Sequence, residues 1–290
     1  MAIPGLRSRN SIANFILLKP RTFAEAIELI SLHPETVPIA GGLDVINRMK
    51  EGVTPPRLLM LTKIGGLNRI SVSSDNGTLD IGATASHDDV AMSPLVRARL
   101  ADLAACWGRI ANIRIRMQGT VVGNLFAGSA SYEGAILLAA LGAAVSIESR
   151  YAAPSSLLVH NLVVDAGSGG QPRGLARAVQ IPLPPPGTTR RLVYDRSLRP
   201  ALSVALRVDH ARGRVTAARA VLGGCHAWPI LRDVPLAGYA LSEAGSYADD
   251  MAAATFSRLP PATVPWFGHP LYREHAAPVL LSRLIKEIVP

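Results

Sequence analysis

The strongest constraint on this chain is a pair of small-residue turns about 80 positions apart, Ile39-Ala-Gly-Gly-Leu-Asp-Val45 and Gly119-Thr-Val-Val-Gly-Asn124. In the first, paired glycines follow the short apolar segment Val37-Pro-Ile39. The backbone there can turn sharply and present bare N–H groups to an anion such as a pyrophosphate. The second offers Thr and Asn side chains as donors and acceptors for hydroxyls and phosphates. Neither is a GxGxxG or Walker loop, so neither of those nucleotide folds is implied. Taken alone, the first reads as an ordinary strand-to-helix turn, and the second reads as a plain turn as readily as a ligand loop. Together they suit one long ligand held between two subdomains.

Local signals place the turns in a mixed fold. Thr22-Phe-Ala-Glu25 is a capping box, and behind it Phe23, Ala26, Ile27 and Ile30 share a helical face that Pro34 terminates. Leu58–Leu61 reads as a strand. Ile70–Val72 and Leu79–Ile81 flank Asp75-Asn-Gly77, a hairpin signal. Ser93-Pro94 opens a helix towards Trp107. Residues 119–128 read as a glycine-bearing loop before an apolar helix, Gly134–Leu141, and a strand, Ala144–Glu148. The loosest stretches are 165–174 and 182–187. Beyond them, Leu202–Asp209 and Arg214–Leu222 read as strands, and a helix runs from about Arg273 to Ile288. The class is α+β. The expected division is 1–175, with subdomains of about 1–62 and 63–175, followed by 176–290, an antiparallel sheet with helices against it.

Other chemistries find little support. The formal charge is +9, but the basic residues are scattered and form no run or aromatic-interleaved stripe, so nucleic acid is not an expected partner. Cys106 and Cys225 form no CxxC or Cys/His cluster, which leaves no iron–sulfur or structural zinc site to this chain alone. Both sit in apolar settings and read as inert core residues. No secretory signal precedes the first helix, and the longest apolar run, about 13 residues, is too short for a membrane span. A cytoplasmic location is expected. His87-Asp88-Asp89 reads as a solvated helix start. Ser129, Ser131 and Tyr132 show no nucleophile–His pairing. Trp266–Tyr272 reads either as an interface patch or as a cap on the C-terminal half.

Six blocks in order, AGGLDVINRMK (40–50), IGATASHDD (81–89), IRMQGTVVGN (115–124), ALGAAVSIES (140–149), QIPLPPP (180–186) and LYREHAAPVLLSRLI (271–285), resemble the FAD-binding medium subunits of the xanthine dehydrogenase and carbon monoxide dehydrogenase family. The resemblance implies a two-subdomain FAD-binding region of type 2 (PCMH-like) followed by a CO dehydrogenase flavoprotein C-terminal-like domain. It also implies that Ala40, Gly41, Gly42, Leu43, Asp44 and Val45 wrap the FAD pyrophosphate. Gly119, Thr120, Val121, Val122, Gly123 and Asn124 would line the ribityl side. Glu133 stands where the family has an acidic flavin contact, and Arg196 where it has a Lys near the pyrimidine; a positive charge there would stabilise the anionic reduced flavin.

The sequence departs from the family pattern in four places. Leu43 replaces Thr, Val122 replaces Gly, Glu133 replaces Asp, and Ala130 stands where Pro is usual. Val122 suits its place only if that backbone needs neither positive φ nor close approach to the ligand. The resemblance further implies an oxidoreductase subunit of a heterotrimeric molybdenum hydroxylase that assembles as a dimer of heterotrimers. A large subunit would hold the molybdenum cofactor and a small one two [2Fe–2S] clusters, with FAD passing electrons to NAD, oxygen or a quinone. The alternatives are a scaffold subunit with a degenerate flavin site and a stand-alone flavoenzyme of the related peptidoglycan-reductase fold.

Overall fold

The computed structural model describes residues 12–128, 132–162, 174–197, 202–224, 226, 229–261 and 270–289. Cys225, Trp266, Ser129, Ser131, the stretch 165–173 and the N-terminal residues 1–11 lie outside them. The chain opens as β1 (Ile16–Leu18), α1 (Phe23–Leu32), β2 (Thr36–Ile39), α2 (Leu43–Lys50) and β3 (Arg57–Met60). The Thr22 hydroxyl accepts the Glu25 N–H at 3.1 Å, as the capping box requires. The Glu25 carboxylate reaches one residue further back than expected, to the Arg21 N–H at 2.8 Å. The three strands pair in parallel, in the order β1-β3-β2, with α1 and α2 as the crossovers. This small layer presents the first turn at the end of β2.

The second layer begins with the expected hairpin, β4 (Ile70–Val72) and β5 (Thr78–Gly82). Asn76 takes the left-handed conformation at its tip, and Asp75 accepts the Gly77 N–H at 2.9 Å. Six short helices follow: α3 (His87–Met92), α4 (Pro94–Arg99), α5 (Ala101–Gly108), α6 (Ile113–Gln118), α7 (Val121–Phe126) and α8 (Gly134–Ala140). Two expectations are corrected here. The single helix from Ser93 to Trp107 is two, divided at Leu100, whose backbone leaves the helical region (φ −145°, ψ 66°) and whose side chain is buried. The expected loop 119–128 is largely helical, because Thr120 caps α7 by accepting the Gly123 N–H at 3.1 Å.

Strands β6 (Ala144–Glu148), β7 (Ser155–Leu158) and β8 (Leu175–Pro182) complete a five-stranded antiparallel sheet in the order β4-β5-β8-β6-β7. β8 is its middle strand, pairing with β5 on one side and β6 on the other. The divide expected at 175/176 would detach β8 from its sheet. Strand pairing ties residues 175–182 to β5 and β6 of the first half.

The C-terminal half is β9 (Thr189–Arg196), β10 (Ser203–Ala211), β11 (Arg214–Gly223) and β12 (Ile230–Asp233), antiparallel in the order β12-β11-β10-β9. A 3-10 segment, Leu241–Tyr247, then leads to α9 (Ala248–Thr255) and α10 (Pro270–Glu287). Alternation sorts the sheet. Val204, Leu206 and Val208 face α9 and α10 in one core, while Leu192, Tyr194, Ala205 and Val221 join the core of the first half, beneath α8. Both faces of this sheet are therefore covered. Cys106 is buried, and burial pushes its thiol up to about 12, as an inert core cysteine requires. No described helix is long and apolar enough to cross a membrane.

Candidate functional site

The first turn is built by two glycines with different tasks. Gly42 holds a left-handed backbone (φ +77°) as the N-cap of α2, and its carbonyl accepts the first helical bond, from Ile46 N–H at 2.9 Å. The N–H groups of Leu43, Asp44 and Val45 precede that bond and have no intrahelical partner. Gly41 is needed for close approach: a Cβ there would lie 1.9 Å from the Gln118 carbonyl oxygen. The Gln118 side-chain amide in turn donates to the Gly41 carbonyl at 2.8 Å.

The second turn is fixed from behind by the entry to α3. His87 N–H donates to Gly119 O at 2.9 Å, Val121 N–H donates to Ala85 O at 3.0 Å, and Ser86 bridges Thr120. The Gly41–Gln118 contacts join this turn to the first, and a cavity of about 680 Å³ opens between them. That lies within the range of small-molecule sites, roughly 300–1,000 Å³.

Thirteen of the fourteen expected residues line this cavity: Ala40, Gly41, Gly42, Leu43, Asp44, Val45, Gly119, Thr120, Val122, Gly123, Asn124, Glu133 and Arg196. Val121 is the correction. It is fully buried in the core, and its N–H is held by Ala85. The feared backbone conflict at Val122 does not arise, because the residue is helical with negative φ. Asn124 carries the clearest mark of a ligand. Its Oδ1 is buried without a hydrogen-bond partner, on the cavity wall. Such an atom costs about 1–3 kcal/mol if left unmatched. Gly134 makes room for it, since a Cβ there would lie 2.6 Å from that oxygen.

The charges of the wall are paired within it. Arg48 Nε lies 2.7 Å from Asp44 Oδ2, and the same guanidinium donates to the Ala127 carbonyl. Arg196 Nη1 donates to Glu133 Oε1 at 2.6 Å, and the Tyr194 hydroxyl donates to the same oxygen. Burial, and then Glu133, push the Tyr194 phenol far above its usual range. The hydrogen bond to Glu133 raises the Arg196 guanidinium as well. Arg196 therefore faces the cavity as half of an ion pair with Glu133.

His87 also departs from expectation. Its side chain is only 2% exposed, behind Gly119, and it lines the cavity. Burial pulls its pKa down to about 4, with Arg116 adding to the shift. The solvated part of that helix start is Asp89, which completes a capping box with Ser86. The linkage has a definite sign. The unfolded chain takes the proton near 6.5 and the folded chain near 4, so the contribution is complete above pH 6.5 and is lost as pH falls towards 4. At about 1.4 kcal/mol per unit, the loss is about 3 kcal/mol. Urea unfolding at pH 7 and pH 4 should show this component in the native chain and not in His87→Phe. An identical acid loss in both proteins would refute it.

Sequence reasoning passed over His87, Arg48, Gln118 and Tyr194. Gln118 stands directly before the second turn, and Arg48 lies four residues after Asp44, a spacing that pairs charges on a helix. Those two signals were readable. The placement of His87 and Tyr194 depends on tertiary packing. No group of three or more His, Cys, Asp or Glu able to hold a metal ion occurs among the described residues.

A parallel βαβαβ layer and an antiparallel sheet, with two turns lining one cavity of this volume, suit a chain that binds a small-molecule cofactor. Residues 12–184 match the family model described as the FAD binding domain in molybdopterin dehydrogenase. The chain belongs to that family. Among curated relatives, it is 27% identical over 139 residues to the nicotinate dehydrogenase FAD-subunit of Eubacterium barkeri, covering 47% of this chain and 46% of that protein. It is 28% identical over 171 residues to the carbon monoxide dehydrogenase medium chain of Afipia carboxidovorans, covering 58% and 59%. The matched stretch thus spans about half the length of these relatives. Quinoline 2-oxidoreductase from Pseudomonas putida 86 shares the fold, with a TM-score of 0.81, 23% identity and coverage of 96% of this chain and 98% of that chain.

Proposed function

We propose that this chain is the FAD-holding electron-transfer subunit of a molybdenum hydroxylase. One observation carries the reading: Gly41 seated against the Gln118 carbonyl, which forces two turns distant in sequence to line one cavity. The residues fit the cofactor. The N–H groups of Leu43, Asp44 and Val45 would meet the pyrophosphate at the start of α2, where the helix dipole favours negative charge. Asn124 Oδ1 would accept from a hydroxyl or ring N–H of the ligand, matching its unpartnered state. Gly119, Thr120, Val122 and Gly123 would form the opposite wall. The Glu133–Arg196 pair, steadied by Tyr194, would orient the redox ring where the two halves meet.

Bound FAD would supply the ability to take electrons singly and release a pair as hydride. The chain's own part is to hold the ring, exclude water through its apolar wall and keep Arg196 protonated beside it. In the assembled enzyme a small subunit with two [2Fe–2S] clusters would donate the electrons, and a large subunit with the molybdenum cofactor would hydroxylate the substrate. NAD, oxygen or a quinone would be the acceptor. A dimer of heterotrimers in the cytoplasm is the assembly this division of labour fits.

Purification with native partners should yield about one FAD per copy of this chain, released by heat and read by fluorescence. A complex that contains the chain but releases no flavin, even after incubation with excess FAD, would defeat the reading and leave a scaffold role.

A further inference from the structure

We infer that His87 is a further cofactor-binding residue: a neutral imidazole whose Nε2–H donates a hydrogen bond into the cavity, to an oxygen of the diphosphate–ribityl linker. The inference rests on the FAD reading above and adds a ligand group to it.

The tautomer follows from donor chemistry. The Trp107 indole Nε1–H can only donate, and it lies 3.1 Å from His87 Nδ1 in the buried interior. Nδ1 is therefore the lone-pair nitrogen, and the ring proton sits on Nε2. The ring is held in place at several points. His87 is the first residue of α3 after the Ser86 cap, its backbone N–H is bonded to Gly119 O, and its ring tilts against the Trp107 indole at 5.8 Å between centroids.

The Cδ2–Nε2 edge of the ring lies against Gly119, on the cavity wall. A Cβ on Gly119 would lie 3.0 Å from His87 Cδ2 and 3.3 Å from Nε2, so glycine at that position leaves the imidazole edge uncovered. His87 and Gly119 both line the cavity, beside the junction of Gly119 with Gly41 and Gln118 where the two turns meet. Among the described side chains Trp107 is the hydrogen-bonding partner of His87, and it occupies Nδ1 alone. Nε2–H is thus a fixed, uncharged donor in the cavity wall. An uncharged donor suits the linker oxygens because it neither competes with the backbone N–H groups of the first turn for charge nor disturbs the Glu133–Arg196 pair.

The test uses the full chain labelled with 15N at histidine. The side-chain spectrum should show the His87 proton on Nε2 without ligand, and that resonance should move on saturation with FAD. His87→Phe keeps a flat ring without the donor, and should weaken FAD binding about tenfold, the scale of one hydrogen bond. His87→Gln returns an N–H and should recover part of that loss. A proton found on Nδ1, or an Nε2 resonance unmoved at saturating FAD, overturns the inference even if His87→Phe fails to fold. FAD binding by His87→Phe at native strength overturns it too. A native chain that binds no FAD at all removes the underlying reading, and that result is separable because no saturation is ever reached.

Discussion

Gly41→Ala should cost this chain at least a hundredfold in FAD affinity, the largest effect expected from any single methyl group in the cavity. The added carbon would sit 1.9 Å from Gln118 O, 2.9 Å from Gln118 C and 3.3 Å from Gly119 Cα. All three are backbone atoms, so no rotamer change relieves the overlap and the turns must part. Overpacking of this kind costs roughly 1–3 kcal/mol of stability. Its consequence for the cofactor is greater, since separating the turns breaks the Gln118–Gly41 hydrogen bond and displaces both walls at once. A hundredfold loss corresponds to about 2.7 kcal/mol of binding. Gly65→Ala is the matched control, because a Cβ there meets nothing within 4 Å and no left-handed backbone is involved. Equilibrium dialysis with FAD on both variants, alongside thermal melts, makes the comparison. Native affinity in Gly41→Ala would mean that the turns need not touch for the cofactor to bind.

Replacing Asp209 should be the most destabilising change in the C-terminal half. Asp209 accepts a two-pronged bond from Arg190, at 2.7 and 3.0 Å, and lies 3.6 Å from Arg207 Nε. The side chains of Arg190 and Arg207 are only 8% and 11% exposed. Burial already pulls the Arg207 guanidinium below its ordinary value, with Asp209 opposing that shift. Asp209→Ala would leave two buried cations without their shared counter-charge, a change that costs about 3–5 kcal/mol. Asp233 offers the contrast: it pairs with Arg219 at 3.2 Å, but its side chain is 78% exposed. Asp233→Ala should stay within about 1 kcal/mol of the native chain. Urea midpoints for the two variants decide the matter, and equal midpoints would refute the claim that burial makes the Asp209 cluster costly to break.

How far the sequence foretold this structure depended on the range of the interactions involved. The α1 cap, the β4–β5 hairpin and the glycine pair at 41–42 are decided by residues within a few positions of each other, and all were readable. The class and the meeting of the two turns were readable as well, because the first turn needs two glycines and the second supplies its own small residues. β9 was missed. Leu192, Val193 and Tyr194 are buried in succession between two cores, which erases the alternation that marks a half-exposed strand. The place of β8 was not readable, because it finds its partners in β5, about a hundred residues back, and in β6, and neither pairing leaves a local trace. Val121 was assigned to the ligand by position in a motif, whereas helical geometry turns it into the core. For His87 the decisive partner was Trp107, twenty residues away, and the charged neighbours Asp88 and Asp89 pointed the other way.

The central place of β8 in its sheet also sets a timetable for biosynthesis. While the ribosome is still making the segment before residue 175, both turns have been synthesised, yet β5 and β6 face an empty lane between them. The second wall of the cavity has no finished foundation until residue 182 clears the exit tunnel. Arg196 must follow before the Glu133 pair can close. Flavin capture should therefore come late in the life of the nascent chain, and a polypeptide arrested shortly before β8 should carry nearly every cavity-lining residue yet retain no cofactor.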